Sequence, residues 1–439
     1  MIRLFKYMLL VVVTSLYVFP IEFSFFPIAN TKMIMAAMGI VTFVVKSILT
    51  HQVQMNRKHL IVGLYALGVS FCGLISVLYN NANDYSYATY IISFLVWIVA
   101  AYFVVSCYKW VHSYVSVTIV CNYLIAVAIM QCIFAIMIEH MPIFKNMVNS
   151  IVIGFASMYS AGEGLDNAGR LYGIGAALDV AGTRFCAILS MISIMAYNAY
   201  KKNNNCQQIL YILCLLVLLV IGSMMSRTTS VGMLFVLLYF IVIWYEGGKK
   251  YVAQFFAFFA VAVLLLAVLY NSNSFFYDNL RFAFEGFFNL AETGTWRLNS
   301  TDELQSMYIW PESFKTWVIG DGYFLDPYSS NPYYVGDVRS WGMFYMGTDV
   351  GYLRFIYYFG LLGLLLFICY FVHIERSLVK RFSTYKWVFR GMLLMTLLIW
   401  FKVSTDIFCL YALFLCIDNE ENDAYEKQYE DSLPDPLDV

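Results

Sequence analysis

An all-α polytopic integral membrane protein that crosses the bilayer about eleven times is the fold this sequence predicts, on three observations. The 439 residues are 61% hydrophobic and only 13% charged, whereas soluble domains carry about 25% charged residues. Apolar runs of roughly twenty residues recur along the chain, the length a helix needs to cross ~30 Å of hydrocarbon. Lysine and arginine collect in alternate connections between those runs. The net charge of −1 gives no hint of a nucleic-acid partner.

Residues 1–138 hold five spans, read as 8–28, 33–50, 60–79, 88–107 and 113–138. The first follows Arg3 and Lys6 as a signal peptide would, yet it contains Pro20 and Glu22 and no small-x-small cleavage site. An uncleaved first helix is therefore expected. Residues 139–182 form a long polar loop, and 183–270 carry four more spans at 183–200, 208–225, 229–246 and 252–270. A second, larger loop fills 271–349. Residues 350–417 return to the bilayer through 350–373 and 391–417, and the acidic tail 418–439, with Pro434 and Pro436, reads as disordered.

The stretch 391–417 is long for one helix and carries Lys402 and Asp406 in its middle. One long helix is expected, with those two side chains one turn apart and able to pair. A re-entrant pair is the alternative; it would make the count twelve and return the tail to the side it came from. Apart from Lys402 and Asp406, the spans carry charge only near their ends.

Arg3 and Lys6, Arg57 and Lys58, Lys109, Lys201 and Lys202, Lys249 and Lys250, and the cluster Arg376 to Arg390 all fall on one side of this scheme. The positive-inside rule makes that side cytoplasmic, with the N-terminus inside and both long loops outside. Neither long loop contains a cysteine, and of the ten cysteines only Cys206 lies away from an apolar run. No structural disulfide is expected. Within the larger loop, Ser300-Thr301-Asp302-Glu303 fits a capping box opening an amphipathic helix through Leu304, Met307 and Trp310.

Three arginines stand at outer ends of spans: Arg170 in Asn167-Ala-Gly-Arg-Leu-Tyr-Gly173, Arg227 in the turn Ser226-Arg-Thr-Thr-Ser230, and Arg354 just inside the tenth span. Anchoring to lipid headgroups or salt bridges to nearby acids accounts for any one of them. A cluster on the face where arginine is disfavoured suits a lipid diphosphate, which the guanidinium fork binds in bidentate fashion. The larger loop is dense in aromatic rings, Trp310, Tyr323 and Trp341 among them, beside acids that include Asp321. Part of that density is an interfacial belt; the rest offers ring faces and polar groups to a carbohydrate. Asp349, at the start of the tenth span and five residues before Arg354, is placed for partial desolvation near bound phosphate, the setting of a general base. There is no Asp-x-Asp metal clamp in either loop, no phosphate-binding Gly-rich loop and no His-Glu-x-x-His.

This layout resembles the O-antigen polymerase (Wzy) family, within the superfamily that includes the O-antigen ligases. Arg170 with Gly173 resembles the family's Arg-x-x-Gly ahead of a span, and Ser226-Arg227-Thr228 its Gly-Arg-Thr turn, with serine replacing glycine. Gly320-Asp321-Gly322, then Thr348-Asp349-Val350-Gly351-Tyr352, resembles its closing pattern. Arg339 to Gly351 approximates a further Arg-x10-Gly motif with one residue too many, as does Arg170 to Gly182.

The resemblance implies a GT-C-like arrangement in the inner membrane of a bacterium. It also implies metal-independent, inverting glycosyl transfer without a cofactor. The donor is a glycan on undecaprenyl diphosphate, the acceptor a single lipid-linked repeat unit, and a chain-length regulator protein is an implied partner. Arg170, Arg227, Arg354 and Arg339 are then expected to hold diphosphate or substrate. Trp310, Tyr323, Asp321 and Trp341 are expected to bind sugar, and Asp349 to act as base. An O-antigen ligase is the nearest alternative, but those carry a histidine motif in the last long loop and 271–347 has no histidine. A flippase or other transporter is the alternative from a different class, marked by short loops and ionisable groups within several spans.

Overall fold

The structure, a computed structural model, describes residues 2–51, 57–153, 170–325, 327 and 344–418. The tail 419–439, and with it Arg339 and Trp341, lies outside the described residues. Among the described residues seventeen helices and three short strands order as α1 (Ile2–Val18), β1 (Glu22–Phe23), β2 (Phe26–Asn30), α2 (Thr31–Thr50), α3 (Arg57–Tyr79), α4 (Tyr90–His112), α5 (Val117–His140), α6 (Pro142–Ile151) and β3 (Val152–Ile153). They continue as α7 (Leu178–Lys201), α8 (Asn205–Met225), a 3₁₀ turn (Arg227–Ser230), α9 (Val231–Tyr245), α10 (Lys249–Ser272), α11 (Ser274–Ala283), α12 (Glu285–Thr293), α13 (Asn299–Ser306), α14 (Phe314–Val318), α15 (Gly351–Arg381), α16 (Lys386–Ile399) and α17 (Phe408–Leu415). Among the described residues nine helices are long and apolar enough to cross a membrane. The chain is an α-helical polytopic membrane protein.

Burial along the helices follows their place in the bundle. Helix α7 is buried from Ala181 to Tyr197, which keeps its polar side chains, Thr183, Arg184, Ser190 and Ser193, away from lipid. Small residues let its neighbours close on it: a Cβ at Gly232 would meet the Cys186 carbonyl oxygen at 2.9 Å, and one at Gly182 would strike Ser226. Helix α10 is the opposite case, burying only Tyr251, Val252 and Phe255, so most of its surface is left to lipid. Polar side chains satisfy helix starts: Asn30, Ser116, Asn204 and Asn273 accept backbone N–H groups at the first turns of α2, α5, α8 and α11.

Three expectations are corrected. The run 8–28 is not one span: α1 ends at Val18, ahead of Pro20, whose ring disfavours helical geometry in the residue before it. The chain then pairs β1 with β2 and with β3, in the order β2-β1-β3, which ties the first helical hairpin to the first long loop. Second, α13 begins at Asn299 with Leu298 in the cap position and no side-chain cap bond, and it stops at Ser306. The capping-box serine therefore lies inside the helix, and Trp310 lies beyond its end.

The third correction concerns 391–417, which is a re-entrant hairpin. Helices α16 and α17, of 14 and 8 residues, reach only ~21 Å and ~12 Å at 1.5 Å per residue. Residues 400–407 turn between them. The Leu415 carbonyl oxygen accepts hydrogen bonds from Arg381 Nη1 (3.1 Å) and the His59 ring (2.9 Å), so α17 returns to the end from which α16 left. Lys402 and Asp406 are not paired. Lys402 donates to Thr228 Oγ1 at 3.2 Å, and Asp406 accepts the Phe408 N–H at 2.9 Å.

A second break lies in α15, where Phe359 and Gly360 leave helical geometry and Gly360 takes φ +69°. The break strips the Tyr357 and Tyr358 carbonyls of helical partners. The backbone N–H groups of Asp321 (2.5 Å) and Gly322 (3.2 Å) replace them. Only glycine serves at Gly320 and Gly322, with φ +86° and +79°, because a Cβ at Gly320 would sit 2.5 Å from the Tyr358 carbonyl oxygen. The Gly-Asp-Gly motif is thus the clasp that holds the larger loop on the broken helix.

The molecule has two chemically distinct ends. Tyr7 stacks on His112, Thr118 bonds Tyr385, and Lys201 pairs with Glu246 at one end, where the predicted basic clusters gather. The sheet, the Arg227–Ser230 turn, helices α11 to α14, the start of α15 and the hairpin tip meet at the other.

Candidate active site

A cavity of about 450 Å³ opens among these convergent segments. Its wall is built from the start of α7 (Asp179, Arg184), the loop ends at Phe324, Phe344 and Asp349, the first turn of α15 (Arg354), the hairpin tip (Val403 to Asp406) and the rings of Tyr87 and Trp97. Irregular backbone inside a membrane protein is tolerated where it is buried or lines such a space, which is where the 400–407 turn lies.

Asp349 follows Thr348, whose hydroxyl accepts the Val350 N–H at 3.2 Å and fixes the approach to α15. The carboxylate is 3.7 Å from Arg354 Nη1 and its side chain is 26% exposed. Burial, reinforced by the nearby Asp179, pushes its pKa up to about 7, against the opposite pull of Arg354 and Lys402. A carboxyl poised there exchanges protons readily at neutral pH.

Arg354 is 5% exposed and lies between the Phe324 and Phe344 rings, 3.7 and 3.9 Å from their centroids. It donates to Ser404 Oγ at 2.7 Å and to the Phe324 carbonyl at 3.2 Å. One guanidinium therefore binds loop, helix and hairpin tip together. Asp84 also secures this loop, accepting the N–H groups of Phe324 and Leu325 at 2.8 and 3.0 Å.

Beside the cavity the structure brings Arg170 and Arg227 together on one ring. Their guanidinium carbons lie 5.0 and 4.2 Å from the centroid of Phe282, at the end of α11. Arg227 also donates to the Phe282 carbonyl at 2.9 Å and pairs with Glu285 at 2.7 Å. The Thr228 hydroxyl links this corner to the cavity, receiving Lys402 and lying 3.4 Å from Asp179 Oδ1. Lys402 is within electrostatic reach of Asp179, Arg227, Asp349 and Arg170.

The expected sugar-binding residues divide. Asp321 is held by Lys315 (2.6 Å), the Thr316 hydroxyl (2.8 Å) and Tyr345 (3.3 Å), and Tyr323 is buried, stacked on Tyr345. Trp310 is 58% exposed and stacks on Trp317, with Tyr308 beside it bonded to the Phe401 carbonyl of the hairpin tip. Sequence reasoning missed Asp179 and Arg184. Their signal was an acid and a base flanking the start of the sixth span, which read as ordinary end-lying charges. Among the described residues no group of three His, Cys, Asp or Glu side chains is placed to hold a metal. Compared with known proteins, the chain matches no family model, no curated protein and no solved structure.

Proposed function

We propose that the chain is a polysaccharide polymerase, an inverting glycosyltransferase working on lipid-linked glycans at the outer face of a bacterial inner membrane. The observation that carries this reading is the meeting of Arg170, from the first long loop, and Arg227, from the Ser226–Ser230 turn, on Phe282 of the larger loop, beside a cavity holding a carboxyl with a pKa near 7. The acceptor hydroxyl attacks the anomeric carbon of the donor sugar, and a C–O glycosidic bond forms as the bond to the lipid diphosphate breaks. The diphosphate departs with the electron pair, its charge stabilised by Arg170, Arg227 and Lys402. The hydroxyl proton passes to Asp349. Trp310 and Trp317 offer the incoming glycan an aromatic face. O-antigen and capsule glycans share this chemistry, and the undecaprenyl carrier and chain-length regulator belong to the same proposal, as do the full span count and GT-C-like class.

The broken α15 and the re-entrant hairpin, with Arg184 buried and Asp406 half-buried at the cavity, also suit a transporter of lipid-linked oligosaccharide. The lipopolysaccharide gel of a deletion strain separates the readings. A polymerase defect leaves core carrying a single repeat; a ligase or flippase defect leaves unsubstituted core, and that result would sink the proposal. Orientation has its own test. Single cysteines placed at 160 and 300 in a cysteine-free background should react with an impermeant reagent in intact spheroplasts, and those at 205 and 380 should not. Outward labelling at 380 reverses the scheme.

A further inference from the structure

The cavity has a second polar centre that this chemistry does not use. Arg184 enters it from the second turn of α7, 7% exposed, with Nε and Nη1 lacking a hydrogen-bond partner among the described residues. The guanidinium otherwise approaches the Cys409 thiol and lies 5.3 Å from the Phe19 ring. Leaving buried donors open forfeits their hydration without return, and an ionisable group kept within a span on those terms calls for a ligand.

The charges around it are unbalanced. Arg184 and Lys32 both act on Asp406, the acid at this end of the cavity. Asp406 Oδ1 is already taken by the Phe408 N–H, and Lys32 lies 4.7 Å over the ring of Trp97. Two cations thus face one acid in an aromatic setting. The volume of about 450 Å³ falls within the ~300–1,000 Å³ of small-molecule sites.

We infer that this end of the cavity is a subsite for a carboxylate-bearing sugar, a uronic-acid-type residue of the glycan. A guanidinium with open donors matches one carboxylate, and the cavity of about 450 Å³ beside it has room for a sugar ring. A lipid diphosphate carries more charge than this corner neutralises, and it is better met by Arg170, Arg227 and Lys402. The inference rests on the polymerase reading for the class of ligand, a saccharide.

Full-length protein in nanodiscs is titrated with methyl glucuronoside, methyl glucoside and inorganic pyrophosphate, following saturation-transfer NMR. The glucuronoside is expected to bind about ten- to a hundredfold more tightly than the glucoside, the range of a charged hydrogen-bonded contact. Arg184→Gln should abolish that preference while leaving pyrophosphate binding intact, which also reports a folded variant. Arg184→Lys, which keeps the charge, should retain part of the preference. Equal binding of the two glycosides, or a preference that survives Arg184→Gln, overturns the subsite. So does displacement of glucuronoside by pyrophosphate in an Arg184-dependent manner, because the anion recognised would then be the carrier's. These are binding readouts, so the subsite can fail while chain elongation persists, and the polymerase reading can fail while the preference remains.

Discussion

Arg227→Ala is expected to eliminate long glycan chains and reduce elongation by about a hundred- to a thousandfold, the usual cost of removing one donor aimed at developing charge. Arg227 is positioned by Glu285 at 2.7 Å and by the Phe282 carbonyl, so its guanidinium is oriented before any substrate arrives. Arg227→Lys should recover little, because a single ammonium cannot satisfy both contacts and a phosphate oxygen. The substitution also strands Glu285, whose side chain is 14% exposed, and that alone could lower the protein level. Glu285→Gln is the control: it breaks the same ion pair but leaves the arginine. If elongation, measured as chain-length distribution at equal protein level, survives Glu285→Gln and fails in Arg227→Ala, the arginine acts on substrate. Equal loss of protein in both variants, with elongation per molecule of protein unchanged, would assign Arg227 to holding α12 in place.

Asp349→Asn should lower elongation at least ~100-fold, the scale of general-base effects, while preserving shape and the contact with Arg354. The pH profile gives a sharper readout. Burial raises the carboxyl pKa to about 7, so the base is half ionised at that pH. Only the ionised form accepts a proton, so wild-type activity should rise with pH up to and through about 7 and level off above it. In Asp349→Asn the remaining activity should lack that limb. The sign for stability is opposite. A carboxyl whose folded pKa exceeds its unfolded value of ~3.9 binds more protons in the native state. Its contribution is therefore lost as pH rises from about 4 to about 7. A variant with near-normal chain length and an unchanged profile would make Asp349 a partner of Arg354 and no more.

The helical, membrane-spanning class was legible because lipid demands long apolar helices, whatever else a chain does. The failures lie where that rule is relaxed. The 391–417 run is apolar enough for one helix, and Lys402 and Asp406 in its middle fit a continuous span with an internal pair as well as they fit α16 and α17. The difference is set by distant partners, Thr228 for Lys402 and Arg381 for Leu415. The break at Gly360 was hidden likewise, because its carbonyls are satisfied by residues 321 and 322. Arg170, Arg227 and Asp349 could be singled out because arginine and acid at outer span ends are chemically conspicuous. Asp321 and Tyr323 were equally conspicuous but are spent on Lys315 and Tyr345, a distinction that only tertiary packing makes. Arg184 went unnoticed because a charge near a span end is ordinary until its surroundings prove buried.

The most direct measurement is reconstitution. The lipid-linked oligosaccharide that accumulates in a strain lacking this protein is supplied, alone, to the purified chain in liposomes. Polymerisation predicts a ladder of lipid-linked chains differing by one repeat unit, formed with wild type and absent with Arg227→Ala. Recovery of the oligosaccharide at its original length, whether or not it has changed leaflet, would contradict the account.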